Sequence, residues 1–163
     1  MSATDDLIAN NRAYAEGFSK GDLERPPSKR VAVIACMDAR VDPARVLGLE
    51  EGDAHVMRNA GGVVSEAEIR DLAISQHLLG TEEIVVLQHT DCGMLMLDEK
   101  GFTERVEAAS GSRPDWHVHT FDDLDENVRD SLRTIMDSPF IPSKSSVRGF
   151  VYDVKTGRVR EVE

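Results

Sequence analysis

Cysteine occurs only twice in this sequence, at Cys36 and Cys92, and aromatic residues make up 5% of it. Two thiols cannot build the dense cross-linking of a small secreted scaffold, and in a reducing compartment they stay free or bind metal. Cationic residues are scarce as well: 19 Lys and Arg stand against 30 Asp and Glu, a formal net charge of −11. That excess repels nucleic acid phosphates and anionic lipid, so the expected partner is a small molecule, with no nucleic acid and no membrane. No apolar run approaches the roughly 20 residues of a membrane span. The start, Met1-Ser2-Ala3-Thr4-Asp5-Asp6, has no cationic segment and reads as neither signal peptide nor anchor. A cytoplasmic location is expected.

What is present is enough for one core. At 163 residues and 40% apolar, the chain is expected to form a single domain over residues 1–163. Val31-Ala32-Val33-Ile34-Ala35 and Ile84-Val85-Val86-Leu87 are short β-branched apolar runs, read as strands buried on both faces. Ala54 to Met57 is a weaker strand candidate, and Val147 to Val154 another, turned by Thr156-Gly157 into Arg158 to Val162. Ser65-Glu66-Ala67-Glu68 is a capping box opening a helix that carries Ile69, Leu72 and Leu79 and stops at Gly80. Leu124, Val128, Leu132 and Ile135 recur at helical spacing, ended by Pro139, and Asp42-Pro43 caps a further helix start. Strands alternating with helices predict an α/β fold with a mainly parallel sheet and one antiparallel edge, whose ligands bind beyond the strands' carboxyl ends.

Cys36 and His89 both fall at such ends, and His89-Thr90-Asp91-Cys92 sets an imidazole and a thiol three residues apart. Two sulfurs and one nitrogen form a soft donor set that suits zinc and leaves a tetrahedral position open, the mark of a catalytic site. Such residues are more often simple packing, so the set alone does not decide. In Cys36-Met37-Asp38-Ala39-Arg40 a carboxylate and a guanidinium alternate, so that Arg40 can grip Asp38 with two bonds and hold it ionised. By spacing alone, an ordinary surface ion pair is the better reading.

Cys-Met-Asp-Ala-Arg after one strand and His-Thr-Asp-Cys-Gly after a later one resemble the two signatures of β-class carbonic anhydrases. Arg58-Asn59-Ala60-Gly61 and the stretch from Ser138-Pro139-Phe140 to Lys155-Thr156-Gly157 are similar to the short prokaryotic branch of that family. The resemblance implies a sheet ordered 2-1-3-4 with a fifth antiparallel strand, flanked by helices. It implies one zinc ion per chain on Cys36, His89 and Cys92, with Asp38 and Arg40 as catalytic residues and no organic cofactor. In some members the aspartate becomes the fourth zinc ligand in a closed form. The implied reaction is reversible hydration of carbon dioxide to bicarbonate by zinc-bound hydroxide. An obligate homodimer is implied too, with residues 1–28 as a dimerisation arm and tetramers also known in the family.

Two positions depart from the family pattern. Members with an inhibitory bicarbonate pocket carry Trp three residues before the first zinc cysteine, where this chain has Val33, so that inhibition is not expected. The usual Ser before the signature arginine is Ala39, which removes a hydroxyl but no ligand. His117 and His119 have the alternate spacing of a strand-borne metal pair, yet read as a solvated loop. His55 and His77 have no partner in sequence, Asp122 to Glu126 reads as helix N-terminal charge, and Met94 and Met96 as pocket lining or core. Some relatives in the short branch hydrolyse carbonyl sulfide or carbon disulfide with the same residues. The rival reading from a different class is a redox sensor releasing metal from Cys36 and Cys92, for which Asp38 and Arg40 would have no use.

Overall fold

The computed structural model describes residues 2–163. Five strands, β1 (Val31–Cys36), β2 (Ala54–Asn59), β3 (Glu83–His89), β4 (Ser146–Tyr152) and β5 (Val159–Val162), form one sheet in the order β2-β1-β3-β4-β5. The β1–β2, β1–β3 and β3–β4 pairs are parallel, and only β5 runs antiparallel, on β4. This is the α/β architecture and strand order expected from the sequence. The chain enters at β1, steps outward to β2, then returns to the other side of β1 as β3. The order therefore reverses at β1, and the carboxyl ends of β1 and β3 frame the crevice that such a reversal opens.

The period of two along β1 and β3 assigns their side chains to opposite faces. Ala32, Ile34, Ile84 and Val86 point to one face, where Ile69 and Leu72 of α3 (Glu66–Leu79) and Ile135 of α5 (Leu124–Asp137) cover them completely. Ser65 and Glu68 close the capping box on α3, and Gly80 ends it in the left-handed conformation, both as read from the sequence. Gly149 lets α5 lie directly on β4, because a Cβ there would collide with Val128. On the opposite face Val33, Ala35 and Leu87 meet Val46 and Leu47 of the short α2 (Pro43–Leu47), and Val85, Phe150 and Tyr152 are only partly covered. Here α1 (Ala3–Glu16) could add cover but does not: it buries none of its residues and leaves Leu7, Ile8 and Tyr14 exposed. Its tie to the body is made by Tyr14 to Glu51 and by Lys20 to Glu51, the latter at 2.9 Å.

A single 3-10 turn, Ala60–Gly62, follows β2 and lies against β1 and β3. Gly62 has φ +64°, and a Cβ on it would stand 2.8 Å from the Cys36 amide nitrogen, so a side chain is excluded by both conformation and space. That close approach brings the turn against the end of β1. The sequence reading did not anticipate α4 (Glu99–Ser110), which also buries none of its residues.

Candidate metal centre

Cys36 is the last residue of β1 and His89 the last of β3, so sheet register itself brings them together, and a loop with Asp91 at φ +56° then returns Cys92 to the same point. Strands β1 and β3 pair in parallel up to Ala35 and Leu87, one residue and two residues before the two ligating candidates. The donor atoms of Cys36, His89 and Cys92 all lie within 4.8 Å of one another, and all three residues are buried. The two sulfurs are 3.9 Å apart, far beyond a disulfide bond. Two thiolates at about 2.3 Å from a tetrahedral zinc would be separated by about 3.8 Å, so the spacing fits that ion.

The histidine supplies a sharper test. Its Nδ1 donates to the Thr90 carbonyl at 2.9 Å, which fixes the tautomer and leaves a lone pair on Nε2. Nε2 is buried and has no hydrogen-bond partner. A buried acceptor without a donor is costly, by roughly 1–3 kcal/mol, unless a cation completes it. Burial disfavours the charged ring, yet the Cys36 sulfur and the Thr90 carbonyl prevail and raise its proton affinity. The hydrogen bond between the two thiols lowers the pKa of Cys36 and raises that of Cys92, so the pair readily carries one thiolate. A thiolate beside an unprotonated imidazole nitrogen is a donor set ready for a soft divalent metal.

Asp38 and Arg40 meet as expected from their spacing. Arg40 Nε donates to Asp38 Oδ1 at 3.0 Å and Nη2 to Oδ2 at 2.8 Å, and the Arg40 amide adds a third bond at 2.8 Å. These bonds from Arg40 hold the Asp38 carboxyl well below the usual carboxylate range. The carboxylate is thus turned to its arginine, with Oδ2 3.8 Å from His89 Nε2.

Two contributors were not foreseen. Arg40 also donates from Nη1 to Asp91 Oδ2 at 2.7 Å and from Nη2 to the Asp91 carbonyl at 2.8 Å, so one guanidinium joins the two signature loops. Arg58, from the end of β2, donates to the carbonyls of Cys36, Asp38 and Val41 at 3.0, 2.8 and 2.6 Å. It pins the backbone of the loop that carries both a candidate ligand and Asp38. The sequence signal for Arg58 was its place in Arg58-Asn59-Ala60-Gly61, which carried no role of its own.

Residues 31–159 match a family model described as carbonic anhydrase. The chain is 54% identical over 162 residues to β-carbonic anhydrase 1 of Mycobacterium tuberculosis, covering 99% of both chains. The chain belongs to the β-carbonic anhydrase family. It is an enzyme of the carbonate dehydratase class of lyases. Among solved structures, the carbonic anhydrase of Streptococcus mutans aligns with a TM-score of 0.93 at 44% identity, over 100% of this chain and 99% of that one. A carbon disulfide hydrolase of Acidithiobacillus thiooxidans is also similar, 32% identical over 170 residues, covering 89% of this chain and 85% of that protein.

The remaining candidates fall elsewhere. His55 Nδ1 bonds Ser75 Oγ at 2.7 Å, and His77 Nε2 donates to the Phe140 carbonyl at 3.1 Å, so both have structural partners. His117 and His119 stand on an exposed loop with ring centroids 6.1 Å apart. Asp123 caps α5, with Asp125 and Glu126 in its first turn. Val63 and Met94 line a mainly apolar cavity of about 470 Å³ beside the cysteines, bounded also by Met37, Leu97, Phe102 and Trp116. Leu95 packs with Met94 around the cysteines, Val64 lines a different cavity, and Met96 is exposed. Among the described residues, no helix is long and apolar enough to cross a membrane.

Proposed function

We propose that this chain catalyses the reversible hydration of carbon dioxide to bicarbonate and a proton, with one zinc ion held by Cys36, His89 and Cys92. The observation that carries the reading is the partnerless, buried His89 Nε2 facing two thiols at the spacing of zinc ligands. When bound, zinc supplies a water made acidic enough to act as a nucleophile near neutral pH.

The chain's own residues do the rest. Thr90 keeps the His89 ring in the ligating tautomer. Asp38, ionised and anchored by Arg40, is an acceptor for the nucleophile's hydrogen and sets its direction of attack. Arg40 keeps Asp38 from swinging onto the metal, and Asp91 holds Arg40 from its other side. The apolar walls of Val63 and Met94 suit a small, linear, uncharged substrate.

The similarity to a carbon disulfide hydrolase favours a second reading with the same residues, in which carbon disulfide or carbonyl sulfide is attacked. Carbon dioxide is preferred because the chain is 54% identical to a carbonic anhydrase over nearly its whole length, and 32% identical to the carbon disulfide hydrolase. Measuring zinc content and then kcat/KM for the three substrates on one preparation, from about pH 6.5 to about pH 9, decides between them. Hydration barely above background beside rapid turnover of a sulfur substrate would establish the second reading. A protein that takes up no zinc would remove both.

A homodimer joined by the arm of residues 1–28 is part of the proposal, supported by the unburied apolar side chains of α1 and the half-covered sheet face. So is a cytoplasmic location, where reducing conditions keep Cys36 and Cys92 available as ligands.

A further inference from the structure

Hydration of carbon dioxide by water yields bicarbonate and one proton in every turnover, and that proton must reach bulk solvent before the next. Both oxygens of Asp38 are already bonded to Arg40, so the carboxylate is an acceptor at the reacting centre with no onward route of its own. The cavity of about 470 Å³ is mainly apolar, and the polar side chains on its wall are those of Asn59, Ser65, Glu68, His117 and His119. A second cavity, of about 160 Å³, lies beside it and is polar, walled by Thr120, Asn127, Asp130 and Ser131. Two residues belong to both walls, Val63 and His119. Val63 packs against Cys36 and Cys92, so the shared wall begins at the metal centre itself.

Resting on the hydration reading, we propose that His119 is the proton-transfer residue, taking the proton from water in the apolar cavity and releasing it into the polar one. An imidazole can accept on one ring nitrogen and donate from the other, which valine cannot. The loop that carries His119 is tied to the metal centre by Phe121, two residues on, which packs in the same cluster as Cys36 and Cys92 and accepts from the Met96 amide at 2.8 Å. The other titratable groups on these walls are placed less well. His117 and Glu68 face the apolar cavity only, and Glu68 is engaged by Ser65 at 2.5 and 2.9 Å. Asp130 faces the polar cavity only and pairs with Arg133.

The test is the zinc-loaded His119→Ala protein in stopped-flow hydration at low and high buffer concentration. In weak buffer kcat should fall by about tenfold while kcat/KM stays within about twofold, since proton release follows the chemical step. Added imidazole should restore kcat, and His117→Ala should behave as wild type. Equal losses in kcat and kcat/KM without rescue, or no loss at all, would overturn the proposal. Placement is read separately in the cobalt-substituted wild type, where the ring protons of His119 should relax faster than those of His55 and His77. Equal relaxation of all three rings would also overturn it. A wild-type protein without hydration activity removes the underlying reading, whereas a hydrating wild type with an unaltered variant removes only the proton route.

Discussion

His89 is tied at Nδ1 and open at Nε2, and in the proposed reaction the side chains around it divide the work between holding metal and aiming a nucleophile. Asp38→Asn separates the two. The amide keeps the shape but loses one acceptor and turns an NH2 toward the donors of Arg40, so zinc should be retained while kcat/KM falls by at least about a hundredfold. Unchanged turnover at full metal content would remove Asp38 from the mechanism. Arg58→Met tests the loop instead: three carbonyls lose their donor, and the backbone around Cys36 and Asp38 should loosen. Zinc affinity, measured by chelator competition, should drop roughly tenfold to a hundredfold. Arg58→Lys should rescue little, because one ammonium cannot serve three carbonyls as a fork does. Affinity equal to wild type in both variants would reduce Arg58 to a surface residue. The meeting of Cys36 with His89 and Cys92, and of Asp38 with Arg40, was legible because each motif packs its chemistry into a few residues at strand ends. Arg58 and Asp91 were not, because their meaning lies in contacts to Cys36 and Arg40, 22 and 51 residues away in the chain.

Strands and helices were legible in proportion to what they bury. β1 and β3 show unbroken apolar runs because nearly all of their residues are buried, Val85 being one that is only half-covered, and α3 and α5 show a stripe because one face is covered. α4 has no buried residue and hence no stripe; only its Asp98 cap and the left-handed Gly111 after it mark its limits. β5 is short and its hold on the body is partly ionic: Arg148 bonds Glu161 at 2.7 and 2.6 Å, and Arg160 bonds Asp125 at 2.9 Å. Arg148 lowers the Glu161 pKa and Arg160 that of Asp125. A carboxylate with a depressed folded pKa stabilises fully above its unfolded value, about 3.9 for Asp and 4.3 for Glu, and loses that contribution as pH falls through the lower folded value. Both pairs are largely exposed, so the loss should be partial and local. Hydrogen exchange followed from about pH 6 down to about pH 3 should show β5 amides losing protection before those of β1 and β3. Simultaneous loss in all strands would mean that β5 is held by Val162 packing rather than by its ion pairs.

At the scale of the whole molecule, one side of the sheet is complete and the other is not. α3 and α5 seal the first side, whereas Val85, Phe150 and Tyr152 remain half-covered on the second. The same protomer carries a 14-residue helix with nothing buried and with Leu7, Ile8 and Tyr14 exposed, followed by exposed Phe18 and Leu23. A helix of that length is marginal in water by itself, so its stability must come from packing. A second copy can supply that packing and gain cover for its own open face in return, which is the isologous exchange of a two-fold dimer. If α1 served only its own protomer, polar residues at Leu7 and Ile8 would be neutral, since neither side chain is buried there. If it docks on a partner, Leu7→Asp with Ile8→Asp places two charges in an apolar interface. Light scattering on eluted protein should then give a dimer or larger for the wild type and a monomer for the double variant. Melting temperature should rise with protein concentration only in the wild type, because association stabilises by mass action. A wild type that elutes as a monomer, or a double variant of unchanged mass and melting behaviour, would mean that α1 is not the dimerisation arm.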